Sequence, residues 1–193
     1  MYEAVADPYC YRNSSVLKNR LRYRAQSDLE KFEKAMVAMR SEEPLPIGRL
    51  SYRYYRAIHR HFFQDVYRWA GRIRTVRISK DKSPFCFPEN IEREMHYLFD
   101  TLADDNHFRD LDADAFAAKA AHFLADLNAI HPFREGNGRV QNVFLTILAD
   151  QAGHPLDLQR LDPPAFLSAM VASFNGEEEL LQGVIRALMR RAD

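Results

Sequence analysis

The stretch HPFREGNGR, His131 to Arg139, packs an imidazole, a carboxylate, two glycines, a carboxamide and a guanidinium into nine residues. That mixture suits phosphate chemistry. Glycines at 136 and 138 let a backbone approach a ligand closely. If a helix begins here, its first N–H groups lack intrahelical partners and its positive dipole end attracts anions. Arg139 is unfavourable in such a first turn unless an anion lies between it and the helix end. Asn137 can donate to a phosphate oxygen. Glu135 offers a hard oxygen to Mg²⁺, which binds through few carboxylates plus phosphates. His131 carries a side chain whose ordinary pKa, about 6.5, suits proton transfer near neutrality. No GxxxxGK[ST] run occurs, so this is not a P-loop. A plain connector would explain the glycines, but not the histidine, the acid and the arginine together.

The flanks say what must hold this loop. Before it, Phe116, Ala120, Phe123, Leu124 and Leu127 stand at helical spacing, and that helix should end near His131. After it, Val140, Val143, Phe144, Ile147 and Leu148 share a helical face, with Gly153 as a stop. Asn-Gly signals a β-hairpin only where the flanks alternate with period 2, and these do not. Upstream, Gln26–Arg40 reads as a helix with Ser27 as N-cap and Glu30 three residues on. Tyr54, Ile58, Phe62 and Val66 mark another helix. Val76 and Ile78 alternate with polar neighbours, a KDKS turn follows, and Phe85 and Phe87 alternate again, the pattern of a short hairpin. ENIEREMHYLFDTL returns to helix, and the tail from Asp162 reads as two more. The fold class expected is all-α, a helical core with one inserted short β-hairpin.

A length of 193 residues fits a single domain over 1–193. Apolar residues at 47% and charged residues at 28% give an ordinary globular composition. Lys plus Arg equals Asp plus Glu at 27 each, so there is no global basic excess and no direct nucleic-acid partner is expected. Cys10 and Cys86 are too few for a disulfide framework and fit a reducing compartment. The N-terminus lacks an apolar signal core and no run of about 18 apolar residues occurs, so the expectation is a cytoplasmic chain without a membrane span. His59 and His61 diverge on a helix, so with Asp65 and His122 they read as core or surface residues rather than metal ligands. The basic RWAGRIRTVR stretch reads as structural or target-docking.

His131 to Arg139 resembles the signature of the Fic (filamentation induced by cAMP) family, HPFx[DE]GNGRxxR. The similarity extends to Leu127-Asn128, to DPYCYRNSSVLKNRL near the start, to FFQDVYRWAGRIRTVRISKDKSPFCFP in the middle and to SFNGEEE near the end. By this resemblance the fold is a helical Fic core with a β-hairpin flap. The activity implied is transfer of AMP from ATP, with Mg²⁺, to a Tyr, Ser or Thr hydroxyl of a target protein. His131 would deprotonate that hydroxyl and Glu135 would hold Mg²⁺. Gly136, Asn137, Gly138 and Arg139 would bind the phosphates, and Asn175 would lie near the adenosine. Phe133 would anchor the loop in the core. The hairpin around Lys80 and Asp81 would be the flap, pairing with an extended target segment by strand addition.

The sequence departs from the signature at its last position, where Asn142 replaces a second arginine. In the family that arginine is associated with the terminal phosphate of ATP, so the change removes a charge and a bidentate fork. It leaves open another donor (UMP, phosphocholine or phosphate) or a non-catalytic module that binds a nucleotide or a partner. The kinase-like Doc branch carries Lys where Gly138 stands. No full [ST]xxxE[GN] inhibitory motif occurs, which implies that inhibition comes from a separate antitoxin protein. The resemblance implies a bacterial toxin or effector, acting in the cytoplasm or secreted into another cell. Type II topoisomerases and small GTPases are the target classes implied.

Overall fold

The computed structural model describes residues 7–80 and 83–190. Its elements run α1 (Gln26–Ser41), α2 (Tyr52–Phe63), β1 (Ser79–Lys80), β2 (Ser83–Pro84), α3 (Pro88–Asp104), α4 (Ala113–Ile130), α5 (Asn137–Gln151), α6 (Pro163–Phe174) and α7 (Glu179–Leu188), with single 3-10 turns at Asn106–Phe108 and Leu158–Arg160. The molecule is mostly helical, as the periodicity requires.

Local chemistry sets most of the boundaries. Asp112 caps α4 by accepting from the N–H groups of Asp114 and Ala115 at 3.0 and 2.8 Å. Ser51 caps α2 through the Tyr54 N–H at 3.2 Å. Gly153, at φ +83°, ends α5, and the His154 N–H reaches back to the Ala149 carbonyl at 2.8 Å. One expectation is corrected. α1 begins at Gln26 behind Ala25, with no side-chain cap, so Ser27 lies inside the helix. The Gln26 amide reaches the Glu30 carboxylate at 2.9 Å instead.

α4 is the central helix. Phe116, Ala117, Ala120, Ala121, Phe123, Leu124 and Leu127 are all buried, and the helix contacts α3, α5, α6 and α7. A helix apolar on most faces belongs in the middle of a core. α2 packs against α1 and α5. An aromatic cluster of Tyr55, Phe99, Phe123, Phe133 and Phe144 joins α2, α3, α4 and α5 at centroid spacings of 5.3–5.7 Å. Phe133 carries this core into the loop between α4 and α5.

The strands are shorter than the alternation suggests. Among the described residues pairing is antiparallel and limited to Ser79 with Pro84 and Lys80 with Ser83, plus one bond from the Phe85 N–H to the Ile78 carbonyl at 3.2 Å. Val76, Ile78, Phe85 and Phe87 lie outside the strands. Around them the backbone turns to other partners: the Arg74 guanidinium donates to the Val76 carbonyl at 2.7 Å, and the N–H of Cys86, between Phe85 and Phe87, bonds the Ala129 carbonyl of α4 at 3.0 Å. Asp81, expected at the tip, lies outside the described residues.

Candidate active site

His131 is the residue that ends α4. Its own φ of +48° is left-handed, and its N–H closes the last turn onto the Leu127 carbonyl at 3.1 Å. The imidazole is half-buried and stacks on Phe85 at a 3.9 Å centroid distance. Nδ1 lies 3.3 Å from the Asn128 carbonyl oxygen. A carbonyl can only accept, so Nδ1 carries the proton in this contact and the basic lone pair falls on Nε2.

The loop is held by groups that the sequence pattern does not single out. Arg74 is 1% exposed, and its guanidinium donates to the carbonyls of His131 (2.8 Å), Cys86 (2.6 Å), Ile130 (3.1 Å) and Val76. It thereby caps the C-terminal end of α4, where a cation also suits the dipole. Burial lowers its pKa from the usual guanidinium value. His59, fully buried, accepts from the Gly71 N–H at Nδ1 (2.8 Å) and so donates from Nε2 to the Glu135 carbonyl (3.0 Å). Burial pushes its pKa down to about 3, so it is a neutral structural imidazole. Arg134, a variable position of the signature, pairs with Asp7 at 2.8 Å and ties the N-terminal segment to the loop.

α5 starts at Asn137 with Gly136 as N-cap, at φ +85°, and no side chain caps its first turn. The Asn137 side chain corrects an expectation. Its oxygen accepts from the Phe133 N–H (2.9 Å) and its nitrogen donates to the Phe133 carbonyl (2.8 Å), and the residue is 3% exposed. The carboxamide therefore staples the loop rather than facing an anion, and its backbone N–H is what it offers at the helix end. Arg139 is likewise engaged: its guanidinium lies 2.6 Å from Glu33 of α1, 3.3 Å from Glu135, and over the Phe63 ring. The second oxygen of Glu33 takes the Tyr67 hydroxyl.

A cavity of about 410 Å³ opens beside the start of α5, lined by the polar residues Asn128, His131, Gln141, Asn142 and Asn175, by Gly138, and by apolar residues of α6, among them Phe166 and Met170. That size accommodates a small-molecule ligand. So the structure brings His131, Gly138, Asn142 and Asn175 together. Glu135 and Gly136 of the loop, and Asn137 and Arg139 in the first turn of α5, do not line the cavity. Lys80 is in β1. Gln141, which the sequence pattern does not mark, is 2% exposed, and its amide nitrogen has no hydrogen-bond partner among the described residues. Among the described residues no Asp, Glu, Lys or Arg lines the cavity. Glu135 is the loop's own carboxylate; one oxygen takes the Gly136 N–H (2.9 Å) and Arg139. A single half-exposed carboxylate suits Mg²⁺ that is otherwise held by phosphate oxygens, and no group of three or more His, Cys, Asp or Glu that could hold a metal occurs among the described residues.

The helical scaffold sets His131 and the uncapped start of α5 beside one cavity. The sequence profile of the Fic/DOC family matches residues 49–149, and the chain belongs to that family. It is 50% identical over 189 residues, 97% of this chain and 98% of the relative, to the probable protein adenylyltransferase y4lH of Sinorhizobium fredii. It is 37% identical over 191 residues to the protein adenylyltransferase VbhT of Bartonella schoenbuchensis, covering 96% of this chain and 39% of that protein. Among solved structures, the N-terminal Fic domain of a VirB-translocated Bep effector protein of Bartonella quintana, with bound ADP, superposes with a TM-score of 0.83 at 26% identity, covering 96% of this chain and 95% of that one.

Proposed function

We propose that the protein is an adenylyltransferase, moving AMP from ATP to a hydroxyl of a target protein. The observation that carries this is the placement of His131 on a cavity that also meets the open start of α5. Relatives named protein adenylyltransferases over nearly the whole chain, and an ADP-bound relative of the same fold, support it. In this reading Nε2 of His131 takes the proton of the target hydroxyl. The oxygen forms its bond to the α-phosphorus, the bond from that phosphorus to the bridging oxygen breaks, and pyrophosphate leaves with the electron pair. Backbone N–H groups at residues 137–139 receive the phosphates, Gly138 leaves them room to approach, and Arg139 lends charge from behind the loop. Glu135 would hold Mg²⁺, which neutralises phosphate charge when bound. Asn142 meets the terminal phosphate as a neutral donor, and Asn175 lies at the nucleoside end. The base and ribose rest on the apolar wall of α6.

The segment around β1 and β2, with Lys80 and Asp81, serves as the flap on which an extended target segment adds as a strand. Topoisomerases and small GTPases remain the target classes that the resemblance offers, and a separate antitoxin the inhibitor. Action as a toxin, or secretion into another cell as an effector, accords with the translocated Bartonella relative.

Label transfer in a bacterial lysate with Mg²⁺, using α-labelled and γ-labelled ATP in parallel, tests the reading. Protein label from α-labelled ATP alone, lost in His131→Ala, is the expected result. Label from γ-labelled ATP alone would establish a kinase instead. If neither label transfers, Asn142→Arg is the next variant: label appearing then would assign the failure to the missing charge, and none would favour another donor or a non-catalytic module.

A further inference from the structure

The chain carries no net charge, yet its charges are not spread evenly. On the far side of α2 from the aromatic core, a hollow of about 460 Å³ is lined by Arg20, Arg60, Arg68 and Arg72. A second, of about 640 Å³, shares Arg20 and Arg68 with it and adds Lys18, Arg22 and Arg24. All seven cations are exposed. Against them the two linings contain, among the described residues, one acid, Asp65, and both of its oxygens are already held by Arg40 at 2.6 and 3.0 Å. Among the described residues, none of the seven has a carboxylate within ion-pairing distance. By contrast Arg77, Arg93, Lys119, Arg134, Arg139 and Arg186 all do. Seven exposed cations without a carboxylate partner are therefore gathered around two adjoining hollows.

We infer that this face binds the phosphate backbone of a nucleic acid. Six of the seven cations are arginines, whose planar forks match phosphate oxygens and are always charged. The alternative occupant is an acidic protein surface. Protein interfaces have a charge-depleted, apolar core, whereas nucleic-acid interfaces are polar and strongly positive. Of the large apolar side chains exposed among the described residues, Leu21 alone neighbours this face in sequence. The aromatic residues in the second hollow are committed elsewhere: Trp69 stacks on Tyr67 at 4.4 Å, Tyr9 packs edge-on to Trp69, and the Tyr11 ring lies under the Arg24 guanidinium at 4.4 Å. With neither an apolar core nor free stacking platforms, the face offers charge alone. Contact would therefore be with the backbone, without base readout. The expectation of no nucleic-acid partner rested on net charge, which is blind to where the charges lie.

The test is fluorescence anisotropy of a short, labelled, mixed-sequence DNA duplex with the intact chain, titrated at low and at physiological salt. Binding should be in the micromolar range at low salt and should weaken steeply with salt, the mark of counterion release. The triple variant Arg20→Gln, Arg68→Gln, Arg72→Gln should bind at least tenfold more weakly, with a log–log salt slope shallower by about 0.9 for each phosphate no longer neutralised. A control triple, Arg93→Gln, Lys119→Gln, Arg186→Gln, removes the same net charge elsewhere and should bind as the wild type does. Thermal unfolding of both triples establishes that they are folded. Absence of duplex binding at low salt would overturn the inference, as would equal losses in the two triples. Competition by polyglutamate as effective as by unlabelled duplex would overturn it in favour of an acidic protein.

Discussion

A Cβ built on Gly136 would stand 2.4 Å from the Phe63 ring, and its φ of +85° is costly for any other residue. A Cβ on Gly138 would meet nothing within 4 Å, on an ordinary helical backbone at the edge of the cavity. The two glycines of one motif therefore have separate reasons. Gly136→Ala should destabilise the fold by roughly 2–4 kcal/mol, the sum of backbone strain and overpacking. Gly138→Ala should leave stability within about 1 kcal/mol, on the favourable side for a helix interior, while filling space in front of the first N–H groups. Thermal denaturation and calorimetric titration with ATP separate the cases: the first variant should melt at a lower temperature, and the second should bind nucleotide more weakly. Asn142 is a third residue-scale case. An arginine there replaces a neutral hydrogen bond worth about 1 kcal/mol with a charge-assisted one of roughly 1.5–3. Asn142→Arg should then tighten ATP binding by about tenfold and leave AMP binding unchanged. An equal gain for AMP would place the side chain away from the terminal phosphates.

At the scale of elements, the junction between α4 and α5 depends on Arg74. A buried guanidinium that satisfies four carbonyls, those of Ile130 and His131 at the end of α4 and those of Val76 and Cys86 beside it, cannot be removed cheaply, because buried and part-buried acceptors then lose their donor. Arg74→Met should cost about 3–5 kcal/mol. Arg74→Lys should recover less than half of that, since an ammonium has three donors and no planar fork. Chemical denaturation of both variants measures this, and near-equal stability of Lys and Arg at this position would sink the capping role. The helices around that junction are legible in the sequence because burial imposes a period on it: the spacing of Phe116, Phe123, Leu124 and Leu127 is enough to mark α4. The hairpin is legible only in outline, because its flanking backbone pairs with α4 and with Arg74, and no local pattern encodes a distant carbonyl. His131, Gly138 and Asn142 stand out in the motif and do meet at one cavity. Asn137 misleads, because a carboxamide beside a loop can face the loop as readily as a ligand, and here the Phe133 backbone decides the choice.

At the scale of the whole molecule, the helices and the loop are locked together by a group that must stay neutral. His59 sits in α2, stacks on Phe133 at 3.8 Å, and bridges the Gly71 N–H to the Glu135 carbonyl. Protonating Nδ1 would break the bond from Gly71 and bury a charge. Its folded pKa is accordingly lowered to about 3, first by desolvation, against an ordinary value of 6.5. A depressed folded value means that the unfolded chain takes up the proton first. The stability contributed is complete above pH 6.5 and is lost as pH falls from there toward 3, at up to about 1.4 kcal/mol per pH unit. His122 acts in the opposite sense, since its hydrogen bond to Glu178 raises its pKa, and the stability it adds is present at low pH and lost as pH rises through that value. Its side chain is 65% exposed, so solvent screening leaves its effect the smaller one. Urea midpoints should therefore fall between pH 7 and pH 5 in the wild type and fall less in His59→Gln. Nitrogen chemical shifts of the His59 ring should report a neutral imidazole throughout that range. A His59 that titrates near 6 in the folded protein would mean that the loop opens to water, and with it that the geometry around His131 is not held from α2.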